Sequence, residues 1–361
     1  MGLMRRELLT EIMAGLGLVP MLAMSSPSTW GTLLFEPEGR VVPPQPMPAN
    51  PFVREGKVLV GLIHGHDPAA MLREGLKIMG GVELLALRGK QVLIKPNVVN
   101  DRPPPTTTNP QVVAAAVSLC REAGAADVLV ADSSGVIRFP TVNNLRKTGI
   151  GQAAEAAGAK VLALEHEPWV RVEPSRAAIL PRYYVSQPVY EADVVINLPV
   201  IKTHRFAHYS CSLKNAVGIV HPRNRPSVTF LAGNWHERIA ELNLAVHPLL
   251  TIADGTTLMI AGGPTSGTAQ KGDLLLVSGD RVATDVVALA ILRSFKAWTK
   301  VTEIGIWEQR QIRHAVKLGL GVKSAAQIGL LTRSLSGPSK AFDQLVDAIR
   351  QDLYVEVISA G

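Results

Sequence analysis

Apolar and polar positions alternate along residues 53–361 between short unbroken apolar runs and longer stretches with helical spacing. KVLVGLIHG (57–65), QVLIKPNVV (91–99), DVLVADSSG (127–135), KVLALE (160–165), YYVSQPV (183–189), ADVVINLPV (192–200), LLTIADG (249–255) and DLLLVSG (273–279) read as strands. Helical patterns lie between them, near 68–86, 110–125, 152–159, 236–246 and 284–295. Strands rich in Val, Ile and Leu, with no polar alternation, are buried on both faces. With helices between them, they predict an α/β fold: a largely parallel, doubly wound sheet covered by helices on both faces. Residues 331–340 read as a polar linker. Phe342, Leu345, Val346, Ile349 and Leu353 then mark one face of a C-terminal amphipathic helix. That face would dock on the domain or serve an envelope redox partner.

The amino terminus has a different pattern. Arg5 and Arg6 precede an apolar stretch from Ile12 to Met24, and small residues follow. This is the layout of an export signal, and Arg5-Arg6-Glu7-Leu8-Leu9 resembles the twin-arginine form. The expectation is a signal over residues 1–26, engagement of the twin-arginine export machinery, and a periplasmic or cell-surface location, or a membrane anchor if the segment is not cleaved. Residues 27–52 carry five prolines between Gly39 and Phe52 and read as a tether. The α/β domain is then 53–330.

In an open parallel sheet, ligands bind beyond the carboxyl ends of the strands. Four apolar runs end there in polar groups: Lys95-Pro96-Asn97, Asp132-Ser133-Ser134, Lys202-Thr203-His204 and Asp254-Gly255. Pro96 holds Lys95 extended, and a held ammonium beside the Asn97 amide suits an anion. Lys214 and Asn215, before Gly218, would line a second anion contact. Gly262, Gly263 and Gly267 could let backbone amides cup an anion. If 204–214 is helical, His204 and His208 share a face and form half a metal site. Without metal, the near-neutral pKa of histidine suits His204 to acid–base work, backed by Asp132 or Asp254.

Composition narrows the ligand. The net charge is +7, aromatics make up 5% of residues, and no basic run is interleaved with aromatics, so nucleic acid is not an expected partner. An anionic small molecule is. Two cysteines, Cys120 and Cys211, are too few for a four-cysteine zinc or iron–sulfur site, so an iron–sulfur cluster is not expected. A divalent metal is the cofactor the histidines would hold. Gly149-Ile150-Gly151 with Ala154 follows no strand and fails as a dinucleotide motif.

The motifs IKPNVV, TTTNPQVV, VADSSG, NLPVIKTH, SLKNAVGIV, IADG, GGPTSG and SGDRVATDVVA occur in this order. The set resembles the bacterial and archaeal domain-of-unknown-function family 362, over about residues 57–295. The resemblance implies an α/β fold, an exported or redox-associated setting in some members, and ferredoxin-like cysteine clusters in others that this chain lacks. It marks Lys95, Asn97, Asp132, Lys202, His204, Lys214, Asn215 and Asp254 as family-pattern positions without giving them roles. Three readings stand: an enzyme of proton-transfer or metal-assisted redox chemistry, a metal or cofactor carrier or assembly factor, and a structural subunit of an envelope complex.

Overall fold

The computed structural model describes residues 36–226 and 233–354. The segment expected to be an export signal lies outside them. In chain order the strands are β1 (Val41–Val42), β2 (Val53–Arg54), β3 (Lys57–His64), β4 (Gln91–Pro96), β5 (Asp127–Asp132), β6 (Lys160–Ala163), β7 (Trp169–Val172), β8 (Tyr183–Ser186), β9 (Val194–Leu198), β10 (Val200–His204), β11 (His208–Ser210), β12 (Leu250–Gly262), β13 (Gly267–Ser278) and β14 (Ile328–Ser334). Among the helices are α1 (Pro68–Met79), α2 (Pro110–Glu122), α3 (Thr141–Lys147), α4 (Ile150–Ala156), α5 (Gln187–Glu191), α6 (Ser212–Asn215), α7 (Trp235–Glu241), α8 (Arg281–Ser294), α9 (Thr299–Thr302), α10 (Arg310–Lys317) and α11 (Lys340–Tyr354).

The main sheet runs β14-β3-β13-β12-β9-β4-β5-β6, with β10 and β11 joined through β12 and β2 through β3. The α/β class expected from the sequence holds, but the sheet is mixed rather than largely parallel. β6, β5, β4, β9 and β12 form a parallel half. β13 is antiparallel to both β12 and β3. Connection length is the cause. Only Gly263–Ser266 separate β12 from β13, whereas a parallel return needs a crossover of a dozen residues or more. The stretch 256–262, expected to lie outside the strands, continues β12.

Helix starts follow local chemistry. Asp67, Asn109 and Asp280 cap α1, α2 and α8 by accepting from Ala69 N, Gln111 N, and Val282 and Ala283 N respectively. Pro68 and Pro110 supply a preset φ at the first position of α1 and α2. α2 and α4 cover one face of the parallel half, and α1 lies beside α2 on β3 and β13, so that Leu72, Leu76, Val113 and Ile150 share one core with Ile94, Ile196 and Ile252. α8 is buried from Arg281 to Leu292 on all sides, between the sheet and α11. The C-terminal amphipathic helix is therefore found, and Phe342, Val346, Ile349 and Leu353 of its apolar face are buried in the chain's own core.

Two segments differ from their sequence reading. Residues 331–334, expected to be linker, belong to β14, which pairs parallel with β3 at the sheet edge. Apart from Ile328 its residues are half-buried or exposed, so Thr332, Arg333 and Ser334 fit there. The proline-rich 39–52 is packed rather than free: Val41 and Val42 pair with Arg171 and Val172, and Phe52 is fully buried.

Candidate anion site

β4 and β5 are neighbours in parallel register, Ile94 opposite Val130, so Lys95 and Asp132 leave the sheet side by side. Lys95 Nζ donates to Asp132 Oδ1 at 2.7 Å, to the Pro96 carbonyl at 2.8 Å and to Asn215 Oδ1 at 3.3 Å. Asp132 also accepts from Val98 N at 2.6 Å and Ser133 N at 2.8 Å. The pair is buried. Burial pushes the Lys95 ammonium down, and Asp132 opposes that shift.

Two asparagines and a glycine complete the frame. Asn215, on α6, donates to Asn197 Oδ1 at 2.8 Å and accepts from Asn97 Nδ2 at 3.1 Å. It thereby joins the ends of β4 and β9. Gly218 leaves the space the ion pair occupies. A Cβ at this position would collide with Asp132 Oδ1 and stand 2.7 Å from Lys95 Nζ.

Lys202, on β10, reaches the same place from the other side. It donates to Asn97 Oδ1 at 2.8 Å and to the Thr106 carbonyl at 2.6 Å. Burial, then Lys214, holds its ammonium well below the ordinary range. Arg225 closes the group, with Nη2 on Ser133 Oγ at 2.7 Å, Nε on the Val220 carbonyl at 3.1 Å and Nη1 on the Ser134 carbonyl. Burial brings its guanidinium down to about 10.

Lys214 is held differently. No acceptor among the described residues takes a hydrogen bond or ion pair from its ammonium, and its side chain is half-buried, so part of it stays open. Burial, followed by Lys95 and Arg225, brings it down to about 8.

The structure thus brings together Lys95, Asn97, Asp132, Ser133, Lys202 and Asn215, and Lys214 adjoins Asn215 on α6. It separates Asp254, which lies within β12 rather than at its end. Asp254 accepts from Asn109 N at 2.7 Å and from Thr256 N and Oγ1 at 3.0 and 2.7 Å. Its work is to prop the start of α2 and the loop whose Thr106 carbonyl receives Lys202. Gly262 and Gly263 do not cup an anion. Both have positive φ, Gly263 N donates to the Ser266 carbonyl at 2.7 Å, and they form the β12–β13 turn.

The helical reading of 204–214 is corrected. Residues 204–214 are a β10–β11 hairpin followed by α6, not one helix, and His204 is the cross-strand partner of His208. His204 Nδ1 accepts from Phe206 N at 3.2 Å and Ala207 N at 3.0 Å, which closes the hairpin turn. That bonding assigns the ring proton to Nε2. Neither Asp132 nor Asp254 backs the ring: Asp132 is on Lys95 and Asp254 on Asn109. Burial, then Lys214 and Lys202, hold His204 well below the usual histidine range, so it is neutral at pH 7. His208 Nδ1 lies 3.1 Å from Gln309 Oε1.

These donors do not fit a divalent cation. One His204 nitrogen is already hydrogen-bonded. Lys202 and Lys214 act on His204, and Lys300 and Arg310 on His208. Among the described residues, no three His, Cys, Asp or Glu side chains are grouped to hold a metal.

Sequence reasoning missed Arg225, Asn197 and Thr106, and marked Gly218 without the space it leaves for the ion pair. Asn197 ends the apolar run ADVVIN and was detectable on the same strand-end logic. Arg225 lies in an irregular loop with no periodic signal.

A thylakoid-associated protein of Synechocystis sp. is 30% identical over 234 residues, covering 62% of this chain and 70% of that protein. Among solved structures, a Thermotoga maritima protein aligns with a TM-score of 0.34 at 14% identity, covering 72% of this chain and 61% of the other. The lactate racemase apoprotein of Thermoanaerobacterium thermosaccharolyticum aligns with a TM-score of 0.31 at 10% identity, covering 87% and 90%. No helix among the described residues is long and apolar enough to cross a membrane. The model of the domain of unknown function DUF362 matches residues 92–290, more than half of the chain and the stretch that carries every group of the cluster, and the chain belongs to that family.

Proposed function

We propose that the cluster at the ends of β4, β5 and β10 binds a small molecule carrying about two negative charges. The observation that carries this reading is the Lys214 ammonium, without an acceptor among the described residues. It sits among cations that already exceed their counter-charges. Lys95, Lys202, Lys214 and Arg225 supply four positive charges, and Asp132 and Glu165 are the carboxylates that act on them. Three of the cations are fixed by protein acceptors, so the frame is preorganised. Lys214 is left to meet the ligand. Carboxylate and phosphate oxygens both suit such a group.

The test is thermal stabilisation and titration calorimetry at low ionic strength, with phosphate, pyrophosphate and malonate as probes. At least one probe should stabilise the protein, less so as salt rises. Lys214→Gln should weaken that probe by roughly 10- to 100-fold, the worth of one charge-assisted hydrogen bond. If no probe binds, or if the variant binds as tightly as the wild type, the reading fails. The Arg5-Arg6 start and the thylakoid association named for a relative support placing this activity at or beyond a membrane. Export of a reporter fused to residues 1–52, and its loss in an Arg5→Lys/Arg6→Lys variant, is the check.

A further inference from the structure

We propose that Asp285 is a positioning residue of the anion site. From α8 it fixes α6, and through Asn197 and Asn215 it sets where the Lys95 and Lys202 ammoniums stand. This rests on the anion reading above and goes beyond it by naming what holds the frame in place.

Asp285 is the second acid of the SGDRVATDVVA stretch. The first, Asp280, caps α8 itself. Asp285 is fully buried and gives its oxygens to another element. Oδ1 accepts from Ser212 N at 2.6 Å, and Oδ2 accepts from Leu213 N at 3.2 Å and from the Tyr209 hydroxyl at 3.0 Å. α6 is only four residues long, and Cys211 before it provides no side-chain cap. The first amides of a helix have no partner within it. The carboxylate thus supplies from α8 what the local sequence lacks.

From Ser212 the hydrogen bonds run unbroken to the lysines. Asn197 Nδ2 donates to the Ser212 carbonyl at 3.2 Å and to Ser212 Oγ at 3.1 Å. Asn197 Oδ1 accepts from Asn215 Nδ2 at 2.8 Å. Asn215 Oδ1 accepts from Lys95 Nζ at 3.3 Å and from Asn97 Nδ2 at 3.1 Å. Asn97 Oδ1 in turn accepts from Lys202 Nζ at 2.8 Å. Packing does not replace this chain. A cavity of about 20 Å³ lies against it, lined in part by Lys95, Asn197, Ser212 and Asn243. Lining atoms lack partners on the cavity side, so α6 has room to shift once its amides are released.

Asparagine at 285 keeps the shape but offers one oxygen, so its NH2 group meets one of the two α6 amides. The Tyr209 hydroxyl can turn to accept from that group; a backbone amide cannot. Three causes then predict three directions. Loss of a negative charge alone tightens anion binding. Loss of stability alone leaves the dissociation constant of the folded protein unchanged. Loss of positioning weakens binding.

The test is titration calorimetry with malonate and pyrophosphate on the full chain, below the melting temperature of every variant. Burial pushes the Asp285 carboxyl up to about 7, and Tyr209, Cys211 and Arg281 are the ionisable groups that interact with it. The comparison is therefore made at pH 8, where Asp285 is ionised. Asp285→Asn should weaken the probe that binds by about tenfold. Ile349→Ala, a destabilised control on α11, should bind within about twofold of the wild type. Should Asp285→Asn fail to fold, wild-type hydrogen exchange decides. Coupling is reciprocal, so the bound probe should slow exchange of the Ser212 and Leu213 amides at least about threefold more than that of α11 amides. An unchanged or tighter dissociation constant in Asp285→Asn overturns the positioning role and leaves the anion site standing, as does unslowed exchange where the variant does not fold. If no probe binds the wild type, both fall.

Discussion

Replacing Asp132 by asparagine tests the frame on which the cluster depends. The carboxylate accepts three hydrogen bonds, from Lys95 Nζ, Val98 N and Ser133 N. Asparagine preserves the volume but offers one oxygen, and turns an NH2 group toward donors. Two unit charges 2.7 Å apart attract by about 6 kcal/mol at an effective dielectric of 20. Desolvation of the two ions costs several kcal/mol each, so the intact pair contributes little net stability. Loss of the carboxylate alone is another matter. It strands the Lys95 ammonium, 3% exposed, beside Arg225, which disfavours its charge. The expected cost is about 3–5 kcal/mol. Lys95→Met added to Asp132→Asn removes the stranded charge and should recover part of it, giving a coupling of about 2 kcal/mol in the double-mutant cycle. Urea unfolding of the four proteins supplies the numbers. A loss below about 1 kcal/mol in Asp132→Asn, the size of an average substitution, would mean that Asp132 does not hold a charged Lys95. The charge count behind the anion site would then be wrong.

Three further outcomes follow from the same geometry. Gly218→Ala drives a methyl group into the Lys95–Asp132 pair and should cost about 1–3 kcal/mol as overpacking, with weakened anion binding; neutrality in calorimetry would contradict the close approach. Ile349→Ala on α11 should cost about 2–4 kcal/mol, because Ile349 is fully buried against the core of α8, and an unchanged melting temperature would mean that α11 is not docked. Burial holds His221 and His236 down to about 4 and His247 to about 3, so their stabilising contribution is complete above pH 6.5 and is lost as pH falls through 4. Asp285, pushed up to about 7 by burial, has the opposite sign and favours the fold below that value. Near pH 5 these four groups together take up about two protons on unfolding, a slope of about 2–3 kcal/mol per pH unit, and His204 and His208, also held down by burial, add to it. A stability flat from pH 6.5 to 4.5 would refute it.

Much of the site was legible because strand ends are legible. Lys95, Asp132 and Lys202 each close or follow an apolar run, and parallel neighbours bring such ends together. Asn215 and Lys214 could be associated with them by the density of polar groups but not placed. Strand direction was not legible from apolar runs, since a strand buried on both faces has the same composition in either orientation. Only the short Gly263–Ser266 connection carries that information. Asp254 was misplaced because β12 continues past it through TTLMIAG, which has no turn residue before Gly262. His204 and His208 were misplaced because the Arg205–Ala207 turn lacks glycine and proline. His208 itself takes a positive φ of 65° there, which its sequence neighbours do not announce. Arg225 left no trace, because a buried arginine is fixed by contacts distant in sequence.

The pairing of β3 has a consequence for how the chain reaches its final form. Val58 pairs with Ile328, and Leu62 lies between Leu276 and Thr332. The first long strand thus finds both of its main partners in the last third of the sequence. Closing a loop of that length costs roughly 5 kcal/mol by the logarithmic rule, and contacts so distant are slow to form. On the ribosome, β3 emerges early and waits with open edges while more than 260 residues follow. Until β14 arrives, its apolar Leu59–Ile63 face is available to other chains. Release and folding of this protein are therefore expected to depend on chain completion, with chaperone occupancy highest before residue 328 is made.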